Sequence, residues 1–359
     1  MNLDSSEAVQ KLDSKNVLGS IDELSKQVND AYIESNKVQV PESYKDIENI
    51  VMCGMGGSGL GARVIESIYK DELKYPLVRV NDYNLPGFVN EKSLVICSSY
   101  SGETEETINN AKQSIEKNAK WMAIGTGNTL INMAKENNVP YYQINPIHNP
   151  SNQPRMAIGY NIVGQLVLAS KTGVIIINDD DISEITTAMV KITEKNNLNK
   201  STDENEAKKL AVKIANKIII FISGEHLIGA THIINNQHNE NAKNLTFDFT
   251  IPELNHHLME GLKNPYTNKD NIYIIFIESD LYSERIKKRF EITRDVVSKN
   301  NIDNYTFKST SSNKLSQSFE TIQFGAYVNF YLTMLYEQDP APIIWVDYFK
   351  EKLGQPLGK

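Results

Sequence analysis

Cysteine is scarce. Two of 359 residues, Cys53 and Cys97, are too few for the disulfide framework that holds small secreted domains together. Both end apolar runs and read as small buried fillers in a reducing compartment. Basic residues are also in deficit, with 37 Lys and Arg against 45 Asp and Glu and a formal charge of −8. That balance argues against a nucleic-acid partner, which calls for a cationic surplus. No apolar run approaches the ~20 residues of a membrane-spanning helix. The N-terminal stretch is polar and charged, unlike a signal peptide, so a cytoplasmic location is expected. The six histidines lack metal-ligand spacing, and His256 and His257 are adjacent, so their side chains diverge on a strand or a helix. Neither a metal nor a cofactor is expected.

What the chain does have is small residues concentrated in two loops. The first reads Gly54-Met-Gly56-Gly57-Ser58-Gly59 and follows an apolar run at 49–53. The second reads Ser98-Ser99-Tyr-Ser101-Gly102-Glu-Thr104 and follows a run at 93–97. Strand, small-residue turn and helix is the arrangement that converges backbone N–H groups on an anion at a helix N-terminus. Two such loops in successive strand–helix units suggest one phosphate gripped from two sides. The candidate binding residues are Gly56, Gly57 and Ser58 with Ser99, Ser101 and Thr104. A dinucleotide site competes, because Gly54, Gly56 and Gly59 satisfy G-x-G-x-x-G and Asp82 follows the next strand at the distance of a ribose-binding carboxylate. The hydroxyl cluster favours a monophosphate. Ordinary N-capping would account for one of those hydroxyls, not three.

Strands are expected at 49–53, 75–80, 93–97, 120–124 and 140–144, alternating with helical stretches after a leading helix at 18–33. That alternation implies an α/β protein with a doubly wound, mainly parallel sheet and helices on both faces. A long apolar helix is expected at 156–172. Polar stretches at 178–181 and 194–203 break the pattern and place a domain boundary near residue 200. The scheme then restarts, with strands at 217–222, 247–250, 272–277 and 305–308, helices from 225 and at 283–300, and a long helix at 318–336. The expected division is a helical leader at 1–45, a first domain at 46–200 and a second at 201–359.

The two loops resemble those of sugar isomerase (SIS) domains, and the chain more narrowly resembles the bifunctional phosphoglucose/phosphomannose isomerase family. Further stretches carry the resemblance: Gln153-Pro-Arg155, Asn239-Glu240-Asn-Ala-Lys243, Pro252-Glu-Leu-Asn-His256 and Asp339-Pro-Ala-Pro342 followed by Tyr-Phe-Lys350. The resemblance implies two SIS-type domains and an aldose–ketose isomerisation between glucose 6-phosphate, with mannose 6-phosphate as a second aldose, and fructose 6-phosphate. Proton transfer between C2 and C1 through an enediol needs a carboxylate base, and Glu240 stands at that family position. By the same resemblance Arg155 stabilises charge on the enediol oxygens. His256 and Lys350 open the sugar ring, and the histidine reaches the neighbouring subunit of a homodimer. A one-residue slip would exchange His256 for His257. The competing readings are a non-catalytic sugar-phosphate-binding SIS protein and an isomerase for another sugar phosphate. Regulators of the first kind carry a DNA-binding domain ahead of a single SIS unit, whereas about 45 residues precede the first strand here. The tandem-SIS aminotransferase type needs a glutaminase with a cysteine nucleophile, for which Asn2 offers no counterpart.

Two departures from the family pattern stand out. Glu103 lies in the second loop where a neutral residue is usual, and its carboxylate is expected to point away from a dianionic phosphate. His238 precedes Asn239-Glu240 where an apolar residue is usual, so it either tunes the base or faces solvent.

Overall fold

The computed structural model describes residues 1–354. Runs rich in Ile and Val form two sheets in which every pairing is parallel. The first contains β1 (Asn49–Cys53), β2 (Leu77–Val80), β3 (Ser93–Ser98), β4 (Lys120–Gly125) and β5 (Tyr141–Gln143), in the order β2-β1-β3-β4-β5. The second contains β6 (Ile218–Gly224), β7 (Thr246–Ile251), β8 (Ile272–Ser279) and β9 (Asp303–Ser309), in the order β7-β6-β8-β9. Parallel neighbours need long crossovers. The helices Leu60–Tyr69, Glu105–Glu116 and Asn128–Glu136 supply them in the first sheet, and Ile228–Gln237 and Glu284–Lys299 in the second. Strand β3 is buried along its whole length, as expected of a sheet covered on both faces.

Both sheets reverse their direction of strand addition beside their first strand, between β1 and β3 and again between β6 and β8. Open α/β sheets bind ligands beyond the carboxyl ends of their strands at such a switch point. The Gly54–Gly59 and Ser99–Thr104 loops leave β1 and β3 there. Below them Cys53 and Cys97 sit opposite one another in register as free, buried thiols, and burial pushes the Cys53 thiol well above its ordinary pKa.

The chain gathers into two compact units, one per sheet. Met1–Asp22 joins Thr187–Pro342, and Glu23–Thr186 joins the described residues from Ile343 onward. This partition departs from the expected divisions at 45 and 200. The leading helix is two helices, Val17–Asp22 and Leu24–Asn36. Ile21 O in the first accepts from Gln323 Nε2 (2.9 Å) and Asp22 Oδ1 from Tyr327 OH (2.5 Å), both in the second-sheet unit. Gln27 in the second helix instead donates to His148 O and Met156 O, each at 3.0 Å, in the first-sheet unit. The later division falls inside a helix, Asp179–Asn196, where polar residues suggested a break. Its Ile182, Ile185, Met189 and Ile192 are buried at helical spacing, and that stripe outweighs the polar flanks.

The two long apolar helices are present as Ile158–Lys171 and Lys314–Leu335. Every residue from Leu315 to Met334 is buried, as expected of a helix surrounded on all sides.

Candidate active site

The first-sheet unit assembles both small-residue loops and Arg155 at one place. Gly56 begins a 3₁₀ turn, Gly56–Gly59, with φ of +49°, a left-handed conformation that favours glycine. Gly57 packs so closely on the 154–155 backbone that a Cβ there would lie 2.9 Å from Pro154 O. Glycine therefore allows the Arg155 segment to seat on the loop. Ser58 ties the two loops together, its Oγ accepting from Tyr100 N–H at 2.8 Å. Gln165, from the helix behind, donates to Ser58 O at 2.7 Å.

Ser99 is the hub of the second loop. Its fully buried hydroxyl donates to Thr104 Oγ1 (2.9 Å) and accepts from Gly102 N–H (3.1 Å) and Thr104 N–H (3.4 Å). Ser101 is exposed and Thr104 half-buried, so these two can present hydroxyls to a ligand while Ser99 shapes the loop behind them. Glu103 is committed elsewhere. Its Oε1 accepts from Thr129 N–H (2.9 Å) and Thr129 Oγ1 (2.7 Å) in the first turn of Asn128–Glu136. The carboxylate supports that helix terminus, where negative charge is favourable.

Arg155 is only 3 % exposed, and its Nη1 donates to Gln153 Oε1 at 2.9 Å. Burying a guanidinium is costly, so the fold holds it there against its solvation preference. A polar lattice that the sequence did not reveal supports it. Asn149 Nδ2 donates to Tyr100 OH and to Gln153 O, each at 3.0 Å, and Tyr100 OH donates to Asn152 Oδ1 at 3.1 Å. Its sequence signal is the polar run from Asn149 to Gln153, set against a buried helix. Asp82, the carboxylate of the dinucleotide alternative, is exposed and accepts from the N–H of its neighbour Tyr83 at 2.5 Å.

Glu240 and His256 belong to the other unit. Glu240 is half-buried in a π-helical turn, His238–Ala242, that continues Ile228–Gln237 and ends at Lys243 with φ of +51°. Such turns are rare and frequent at functional sites. This one is pinned on several sides. Asn239 Nδ2 donates to Thr246 Oγ1 at 2.7 Å, and Asn241 Nδ2 to Asn329 Oδ1 at 3.0 Å. Lys243 Nζ donates to Asp339 O at 2.7 Å and Pro340 O at 3.0 Å. The Asn-Glu-Asn-Ala-Lys and Asp-Pro-Ala-Pro stretches therefore form one structural piece.

His238 lies inside the unit, not at its surface. It is fully buried, its Nδ1 donates to Ile234 O at 2.7 Å, and its ring meets Phe221 edge-on at 5.0 Å. Desolvation pushes its pKa down to about 4, so it is neutral at physiological pH. His256 and His257 are both exposed. The His257 ring lies 6.2 Å from that of Phe249, whereas the His256 side chain makes no hydrogen bond or ring contact among the described residues. Lys350 sits on the helix Ile344–Leu353, which has no buried residue, and it forms no ion pair among the described residues.

Comparison with known proteins bears on the whole chain. Residues 203–353 match the family described as the bacterial phospho-glucose isomerase C-terminal SIS domain. A bifunctional phosphoglucose/phosphomannose isomerase of Caldicellulosiruptor bescii is 32 % identical, over 94 % of this chain and 98 % of its own. The chain belongs to the bifunctional phosphoglucose/phosphomannose isomerase family. Its members are aldose–ketose isomerases. Another relative of that name, from Thermoplasma acidophilum, is 30 % identical over 85 % of this chain and 90 % of its own. Among solved structures, a hypothetical protein of Thermus thermophilus shares the fold with a TM-score of 0.73 at 14 % identity, covering 97 % of this chain and 94 % of its own. No helix among the described residues is long and apolar enough to cross a membrane.

Proposed function

We propose that this isomerase interconverts glucose 6-phosphate, with mannose 6-phosphate as a second aldose, and fructose 6-phosphate. The observation that carries the reading is the half-buried Glu240, held in a π-helical turn by bonds from its neighbours Asn239, Asn241 and Lys243. A carboxylate fixed in this way suits removal of the proton on C2 of an open-chain aldose phosphate. Returning that proton to C1, with O1 gaining a proton and the O2 hydroxyl losing one, completes the isomerisation through an enediol. The Gly56–Ser58 and Ser99–Thr104 loops hold the phosphate by backbone N–H groups and hydroxyls. Arg155 stabilises the negative charge that develops on the enediol oxygens.

Sugar phosphates rest mainly as rings, so the ring oxygen and O1 must exchange protons before the base can act. His256 and Lys350 fill that role in this reading. The protein works as a homodimer in the cytoplasm, and each exposed His256 completes the neighbouring subunit's site. No metal takes part.

A coupled assay on the purified protein tests the proposal. Turnover is expected with glucose 6-phosphate and with mannose 6-phosphate, unchanged by a chelator, and free glucose should be a poor substrate. Inactivity on both phosphates would remove the reading. Sharing of the site is tested by mixing Glu240→Gln and His256→Ala homodimers under conditions of subunit exchange. Random exchange makes half the molecules heterodimers, each with one intact site, and so restores about one quarter of wild-type activity. Exchange without recovery would place His256 within its own chain or outside the reaction, and the same experiment with His257→Ala identifies which histidine acts.

A further inference from the structure

The second-sheet unit carries a cleft of about 280 Å³ lined by Asn255, Met259, Arg285, Lys288, Arg289 and Ile292. The last four recur at i, i+3, i+4 and i+7 along Glu284–Lys299 and so share one face of that helix. Three of the six lining residues are cations and none is a carboxylate, in a chain whose formal charge is −8.

The arginines are unequally constrained. Arg289 Nη1 donates to Asn255 Oδ1 at 3.1 Å. Asn255 Nδ2 donates to Thr293 Oγ1 at 2.8 Å, and the Thr293 hydroxyl donates to Arg289 O at 2.7 Å. Thr293 is buried, so this closed set of bonds fixes the guanidinium through neutral partners and leaves its charge uncompensated by them. Arg285, one turn earlier, is exposed, and its side chain makes no ion pair or hydrogen bond among the described residues. Lys288 pairs with Glu291 at 2.8 Å, but both are well exposed, and such pairs contribute little.

We propose that this cleft is a second anion site, separate from the phosphate loops, that binds a small phosphate-bearing metabolite. Two guanidinium groups a turn apart, one of them preset, suit phosphate oxygens because each can offer a planar pair of donors. The volume lies near the lower bound of ~300 Å³ for small-molecule sites. A compact phosphate ester or diphosphate fits that scale better than a nucleotide. Asn255 holds the preset arginine and immediately precedes His256, so an occupied cleft would bear on the loop that carries His256.

The test is independent of isomerase activity. Inorganic pyrophosphate is titrated calorimetrically into the full chain carrying Ser99→Ala and Thr104→Ala, which weakens the loop site. Binding in the sub-millimolar range is expected. Arg285→Ala and Arg289→Lys should each weaken it by at least ~10-fold, the loss of one charge-assisted hydrogen bond. Lys287→Ala, on the same helix but outside the cleft lining, should leave it unchanged. Arg285 is exposed, so its replacement should leave folding intact, which circular dichroism checks. Absence of binding, or equal weakening by Lys287→Ala, would overturn the site.

Discussion

The two switch points share one strand order over four strands and differ in what stands at the turn after the first of them. At the first, Gly56 opens the 3₁₀ turn after β1 with φ of +49°, and the loop after β3 offers hydroxyls at Ser101 and Thr104. At the second, Glu225 opens the corresponding turn after β6 with φ of +44°, a conformation that is costly for a residue with a Cβ. Its Oε1 accepts from Ser283 Oγ at 2.6 Å, and both carboxylate oxygens lie 3.2 Å from Ser283 N, at the N-cap of Glu284–Lys299. The second unit thus fills its own donors with a side chain, whereas the first leaves small residues there. Glu320 repeats the theme beyond β9, accepting from the N–H and hydroxyl of both Thr310 and Ser311. One architecture is therefore finished in two ways: small residues stand at the first switch point, and carboxylates occupy the corresponding donors in the unit that carries Glu240.

The sharpest break in this comparison is at Glu240. Glu240→Gln keeps the shape but removes the proton acceptor, so turnover should fall at least ~10²-fold while sugar-phosphate binding persists. Near-wild-type turnover would end the assignment. The complementary change, Ser99→Ala with Thr104→Ala, removes the hub of the second loop and a presenting hydroxyl. It should weaken sugar-phosphate binding by ~1–3 kcal/mol in calorimetry, and unaltered affinity would show that the loop does not hold the phosphate.

Acid should separate the units next. His238 is held neutral down to about pH 4, so between that value and the ordinary histidine pKa the unfolded chain binds a proton that the folded chain does not. Stability therefore rises with pH across this window and is lost as pH falls through it. From pH 7 to pH 5 this histidine should cost ~2 kcal/mol. His238→Asn should flatten that dependence in urea unfolding, and an unchanged slope would mean that the ring is not held neutral. His226, also buried and shifted downward by desolvation, adds to acid loss in the same unit. The smallest effect is expected at Glu225. Glu225→Gln weakens the cap on Glu284–Lys299 and should cost ~1 kcal/mol of stability in the second unit, with no change in sugar-phosphate affinity. A loss of that affinity would instead tie the second switch point to substrate.

Much of the fold was legible along the chain because buried parallel strands are short apolar runs punctuated by small residues. The expected strands at 93–97 and 120–124 and the two long apolar helices lie close to those observed. The helix Asp179–Asn196 was missed because its polar ends masked the stripe from Ile182 to Ile192. The split of the leading helix at Glu23 had no local signal, since it reflects which unit buries each half. At the candidate site, the loops and Arg155 were visible as residues in motifs. The role of Ser99 as a buried hub was not visible, nor was the link from Ser58 to Tyr100.

By itself, then, the sequence determined the parallel α/β scheme, the two small-residue loops and the motif that carries Glu240. Those depend on short-range pattern: apolar runs, glycine at a left-handed turn and hydroxyls after a strand. Only the tertiary structure decided that Glu103 supports a neighbouring helix, that His238 is a neutral core residue, and that Glu225 occupies the donors of the second switch point. Each depends on a partner far away in sequence or on burial, and burial is a property of the packed chain, not of a residue and its neighbours.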